Sequence, residues 1–124
     1  MAPNEEKPAI EITERDGYPV VSVCGEIDLY TAPQFQLALT SAEKDRPVLI
    51  VDLSGISYID SAGLSALLLT YKRLSGRGAK LYVVAPPDNP GVRRVMEVTR
   101  LDSLIPVRPS MDDVLNELKM HGAA

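Results

Sequence analysis

The stretch Val48-Leu49-Ile50-Val51-Asp52-Leu53, opened by Pro47, constrains the fold more than any other segment. The run is far too short to span a bilayer and lacks the alternation of a half-solvated strand, so it reads as a strand buried on both faces. Such a strand needs neighbours on either side and cover above and below, which calls for helices packed on a sheet. Ile10 to Thr13 and Val20 to Cys24 are short β-branched runs separated by Arg15-Asp16-Gly17. Their Asp-Gly pair is a turn signal, and together they predict an antiparallel hairpin. Thr31 stands three residues before Gln34, the spacing of a capping box, and Pro33 falls in the first turn, where its missing N–H costs nothing. Phe35, Ala38, Leu39 and Ala42 then recur at i, i+3, i+4 and i+7, which predicts a helix from Thr31 to about Lys44 with that face on the core.

Beyond the central strand, Ser54-Gly55 opens a short loop, and Asp60 is placed to cap a second helix. That helix carries Leu64, Leu67, Leu68, Tyr71 and Leu74 and ends at Gly76 and Gly78. Leu81 to Val84 reads as a strand. Asn89-Pro90 reads as cap and first residue of a third helix with Val92, Val95 and Met96 inward, and Leu104 to Val107 as a short strand. Ser110 caps a last helix with Met111, Val114, Leu115 and Leu118 buried. The order β-β-α-β-α-β-α-β-α predicts an α/β fold with a mixed sheet, in which the opening hairpin supplies an antiparallel edge to parallel neighbours. At ~100–200 residues per domain, the 124 residues make one domain, 1–124, with 1–8 and 120–124 expected to be flexible tails.

Composition removes several functions. With 13 Lys+Arg against 17 Asp+Glu the net charge is −4, the wrong sign for gripping phosphate backbones or anionic lipid, so neither nucleic acid nor membrane is expected as a direct partner. The start Met1 to Pro8 is polar and lacks an apolar signal core, which points to the cytoplasm. A single cysteine, Cys24, excludes an internal disulfide; inside an apolar run it reads as a buried structural thiol. One cysteine and one histidine exclude the usual four-ligand zinc sites.

Catalytic templates fail in turn. No G-x-G-x-x-G follows the first strand and no Walker loop is present. The one histidine, His121, lies in the expected tail, and Ser61 is not set in G-x-S-x-G, so a hydrolase triad lacks its parts. Asp28, Asp52 and Asp60 lie near strand ends and could meet at a Mg²⁺; a cap at Asp60 and polar strand ends elsewhere explain them more simply. No enzyme activity and no cofactor are expected.

The segment Ile56-Ser57-Tyr58-Ile59-Asp60-Ser61-Ala62-Gly63-Leu64 is more informative. It places the Ser61 hydroxyl at the first position of a helix, behind an Asp cap, with small Ala62 and Gly63 beside it. Helix N-termini favour Asp and Ser on structural grounds, and Gly63 can serve close packing of helix on sheet. Against this, Gly at the third helical position costs ~0.8–1 kcal/mol relative to Ala, and Tyr58-Ile59 puts bulky apolar groups in a loop, so a role beyond folding is invited.

These residues resemble a known family. Gly25-Glu26-Ile27-Asp28-Leu29-Tyr30-Thr31-Ala32, the strand end Val51-Asp52-Leu53-Ser54-Gly55 and Asp60-Ser61-Ala62-Gly63-Leu64 are similar to the bacterial anti-sigma factor antagonists of the STAS-domain family, in the same order from about Ile10 to Leu118. The resemblance implies that Ser61 is phosphorylated by an anti-sigma factor that is itself a serine kinase, and that Asp28 and Thr31 form a polar pair near it. It implies a partner switch: the unphosphorylated chain captures the kinase and frees a sigma factor, phosphorylation releases the kinase, and a serine phosphatase resets the system. ATP and Mg²⁺ would belong to the kinase. Partner contacts are then expected at Asp28, Tyr30, Thr31, Ile59, Asp60, Ser61, Ala62, Gly63, Leu64 and Leu69, and the chain is expected as a monomer or weak dimer. The free N–H groups of a helix N-terminus favour an anion, so phosphate on Ser61 is expected to spare the fold and act at the interface. The alternative is a STAS scaffold or a ligand- or nucleotide-sensing module whose binding ignores Ser61. Two positions depart from the family. Ala62 stands where many members have a second hydroxyl, and Arg100 stands where Gly commonly makes a left-handed helix end, so either Arg adopts that conformation at about 1 kcal/mol or the helix ends differently.

Overall fold

A computed structural model describes residues 9–121; the expected tail 1–8 and residues 122–124 of the expected tail 120–124 lie outside the described residues. The elements run β1 (Ala9–Arg15), β2 (Tyr18–Ile27), α1 (Ala32–Glu43), β3 (Val48–Ile59), α2 (Ser61–Gly76), β4 (Lys80–Val84), α3 (Pro90–Val98), β5 (Val107–Arg108) and α4 (Met111–Met120). This is the expected order, in one five-stranded mixed sheet arranged β1-β2-β3-β4-β5. β1 pairs antiparallel with β2, and the other pairs are parallel. Asp16 (φ 53°) and Gly17 (φ 85°) form the two-residue hairpin turn, both left-handed as that turn demands.

Val48 to Val51 is buried on both faces. Leu49, Val51 and Leu53 pack with Val21, Val23 and Val83 beneath Phe35 and Leu39 of α1, Leu67 of α2 and Met96 of α3. Val48 and Ile50 face the other way, with Val20, Tyr82 and Val84, against Val114, Leu115 and Leu118 of α4. Three helices therefore cover one face and a single helix part of the other. The uncovered part carries Cys24, which is exposed, so the expectation of a buried thiol is overturned. Sequence shows the apolar run around Cys24, but only the placement of α4 leaves that end of the face open.

β3 does not stop at Leu53. It continues without a loop to Ile59, paired with β2 through Gly25↔Ile56, Glu26↔Tyr58 and Ile27↔Ile59, with register shifts along the way. The inward residues Leu53, Ile56 and Ile59 are spaced by three, because each shift inserts an extra residue into β3. β5 is displaced from the expected Leu104–Val107. The amide of Leu104 closes a 3-10 turn onto the carbonyl of Leu101 (3.0 Å), and Pro106 has no N–H to give β4. The buried stripe of α2 is Gly63, Ala66, Leu67, Thr70 and Leu74, about one residue round from the expected one, with Leu64, Leu68 and Tyr71 half-buried at its margin. Arg100 takes the left-handed conformation (φ 62°, ψ 21°) after α3. α4 reaches Met120, one residue into the expected tail.

One ionic cluster went unanticipated. Glu43 at the end of α1 is buried, and Arg73 of α2 grips it through Nε (3.1 Å) and Nη2 (2.9 Å). Arg77 donates to the carbonyls of Glu43 (2.6 Å) and Arg46 (2.9 Å), and Arg46 in turn holds Glu14 (3.1 Å) and the carbonyl of Gly17 (2.7 Å).

Candidate partner-binding site

β2 and β3 finish side by side at Ile27 and Ile59, so the next residue of each, Asp28 and Asp60, enters a helix at the same end of the sheet. Asp60 caps α2: its carboxylate accepts the amides of Ala62 (2.8 Å) and Gly63 (3.3 Å). Asp28 does the equivalent for the turn into α1, where its Oδ1 accepts the amides of Tyr30 (2.9 Å) and Thr31 (3.1 Å). Thr31 precedes the helix as expected, but its hydroxyl makes no capping box. It turns back to accept the amide of Asp28 (2.8 Å), and lies 3.1 Å from both the Glu26 carbonyl and Asp28 Oδ1. Asn89 behaves alike: it stands at the start of α3 without a side-chain cap, and its Nδ2 donates to the Ile56 carbonyl (2.7 Å), bracing the shifted part of β3.

Ser61 is exposed at the first residue of α2. Gly63 lies beneath it, and a Cβ there would fall 2.7 Å from Ile59 Cγ1 and 2.8 Å from Ile27 Cγ2. The glycine thus has a packing reason: it seats the first turn of α2 directly on the last β2–β3 pair. Among the expected contact residues, Ile59 and Gly63 are buried and support this surface without being offered by it. Asp28, Thr31, Asp60, Ala62 and Leu64 are half-buried. Tyr30 (85% exposed) and Leu69 (52%) are open, and Leu69 shares the solvent face of α2 with Ser61 and Ser65, two turns further on. The structure adds Leu29 (67%) and Tyr58 (50%) to the apolar groups exposed at this end. Tyr58 stands on a paired strand and not in the expected loop.

Asp52 is occupied by the amide and hydroxyl of Ser54. Among the described residues no group of three or more His, Cys, Asp or Glu could hold a metal ion, and no helix is long and apolar enough to cross a membrane. A groove of about 400 Å³ lies at the opposite end of the sheet, lined by Lys80, Tyr82, Leu104, Glu117 and His121 among others, far from Ser61. In it, burial and the neighbouring Glu117 carboxylate push the Tyr82 phenol above its ordinary range.

Fold and site together define a small α/β module that displays a serine hydroxyl on an apolar-flanked surface, where a macromolecule can reach it. Residues 9–114 match the STAS domain family, and the chain belongs to that family. It is 36% identical over 99 residues to an anti-sigma-B factor antagonist of Staphylococcus aureus, covering 79% of this chain and 90% of that one. A Listeria monocytogenes protein of the same description is 37% identical over 102 residues, covering 81% and 88%. The crystal structure of an anti-sigma factor antagonist from Mycobacterium paratuberculosis superposes with a TM-score of 0.85 at 37% identity, covering 95% of this chain and 97% of that one.

Proposed function

We propose that this chain is a cytoplasmic anti-sigma factor antagonist that regulates transcription by partner switching at Ser61. Unphosphorylated, it binds an anti-sigma factor serine kinase and releases the sigma factor; phosphorylated, it lets the kinase go until a serine phosphatase restores the hydroxyl. It acts as substrate and ligand of the kinase, which brings its own ATP and Mg²⁺. The observation that carries this reading is the exposed Ser61 hydroxyl at the first residue of α2, behind the Asp60 cap and the Gly63 seat, at the end of the sheet that also exposes Leu29, Tyr30 and Tyr58.

The electrostatics favour a switch. A phosphoryl group adds about −1.5 to −2 charge. Two of the first-turn amides that would welcome it, those of Ala62 and Gly63, are already taken by Asp60. The expectation of free amides therefore holds only in part, and a phosphate on Ser61 meets the Asp60 carboxylate with less of that compensation. Pressing such a surface against a partner costs several kcal/mol, and ~1.4 kcal/mol is already tenfold in affinity.

The test is affinity capture from the native lysate with the unmodified protein, Ser61→Ala and Ser61→Asp as baits, followed by mass spectrometry. An ATP-binding serine kinase retained by the first two and lost with Ser61→Asp is expected. The same proteins on all three baits would overturn the switch in favour of a scaffold or ligand-sensing module.

A further inference from the structure

The two edges of the sheet are unlike. β5 is a two-residue strand between Pro106 and Pro109, too short and too poor in donors to template another strand. β1 runs for seven residues, exposed almost throughout, in an unbroken ladder with β2, and its outer side has no strand partner among the described residues. The two-residue turn makes Arg15↔Tyr18 the closing hydrogen-bonded pair of the hairpin. Arg15, Thr13 and Glu11 therefore spend their backbone groups on β2, while Ile12 and Glu14 direct theirs outward. Seven regular residues free of Pro, bulge or Lys make an edge left open where natural sheets are usually blunted.

The charges on β1 say what fits it. Glu14 is neutralised by Arg46 at 3.1 Å. Glu11 and Arg15 are exposed on one face of the strand and make no ion pair among the described residues. Four residues apart, they stand about 13 Å from each other along the strand. We propose that β1 pairs antiparallel with β1 of a second copy of this chain, centred on Thr13, so that each Glu11 lies opposite Arg15 of the other copy. Centring on Glu11 would set two carboxylates face to face, and centring on Ile12 would set Arg15 against Ala9. Centring on Thr13 alone yields two opposite-charge pairs and a Thr–Thr pair, at the non-hydrogen-bonded positions where side chains approach most closely. Ile12 and Glu14 then supply the ladder, and the half-exposed Ile12 (49%) gains cover. Thr13 is in register with Val20 and Ile50, whereas Ser61 follows Ile27 and Ile59, about 23 Å further along β2, so the pairing leaves the Ser61 surface open.

Sedimentation equilibrium of the full chain, from micromolar to millimolar at low salt, tests this with Glu11→Arg, Arg15→Glu and the double swap. All three changes lie on the surface, and circular dichroism checks that each variant folds. A dimer is expected for the unaltered chain, weakened about tenfold or more by either single swap and restored by the double swap. An unaltered chain that stays monomeric throughout, single swaps without effect, or a double swap no better than the singles would each overturn the proposal.

Discussion

The amide of Asp60 donates to the carbonyl of Ile27 across the ends of the two parallel strands, at 3.1 Å. This one bond fixes the start of α2 to the strand that leads into α1. The cap at Asp60, the turn at Asp28 and the hydroxyl of Ser61 are thereby held as one unit, and the orientation of the display surface depends on how tightly α2 sits on that strand pair.

Gly63→Ala tests the seat. The added methyl meets Ile59 and Ile27 well inside normal contact. Overpacking costs about 1–3 kcal/mol, against a propensity gain of at most about 1 kcal/mol. A net loss of about 1–2 kcal/mol in urea unfolding is expected, with slower phosphorylation of Ser61 by the captured kinase.

The Glu43–Arg73 pair should respond asymmetrically. Glu43 is buried (side chain 8% exposed) whereas Arg73 is partly open (38%). Arg73→Met strands a buried carboxylate and is expected to cost about 2–4 kcal/mol; Glu43→Gln leaves an arginine that water can reach and should cost about 1 kcal/mol. Equal losses in chemical denaturation would contradict the burial argument.

Arg100→Gly should stabilise. A non-glycine residue at φ 62° bears a steric penalty that glycine lacks, about 1 kcal/mol, less the entropy that glycine adds to the unfolded chain. Calorimetry is expected to show a higher Tm by a few degrees.

Arg108 holds the Glu117 carboxyl below its ordinary range, through hydrogen bonds of 2.7 and 3.1 Å. A folded-state pKa below the unfolded one means stability that is present above about pH 4.3 and lost as pH falls through the lowered value. The pair is partly exposed, so about 0.5–1 kcal/mol is expected. Arg108→Gln should be less stable than the unaltered chain by that amount at about pH 7, with the gap closing towards about pH 3; a gap independent of pH would contradict this.

Much was legible in the chain because the controlling interactions are local. The Asp60 cap, the Ser110 cap, the Asp16-Gly17 turn and the doubly buried Val48–Val51 run each depend on residues a few positions apart, whose hydrogen bonds and periodicity are written in order. The motif around Ser61 was legible for the same reason. The continuation of β3 to Ile59 was not, since its inserted residues break the two-residue alternation and only pairing with β2 makes that segment a strand. Thr31 has the sequence of a capping box, yet Asp28 and Glu26 offer its hydroxyl nearer partners once β2 ends where it does. Cys24 is exposed because α4 covers only part of its face, and Glu43 is buried because Arg73, thirty residues on, arrives to meet it. The amino-acid order by itself determined the order of the elements, the caps at Asp60 and Ser110 and the serine at the start of α2. Register, helix placement and charge pairing across the chain were decided by contacts between distant residues, whose free energies exist only when the sheet and its helices are assembled.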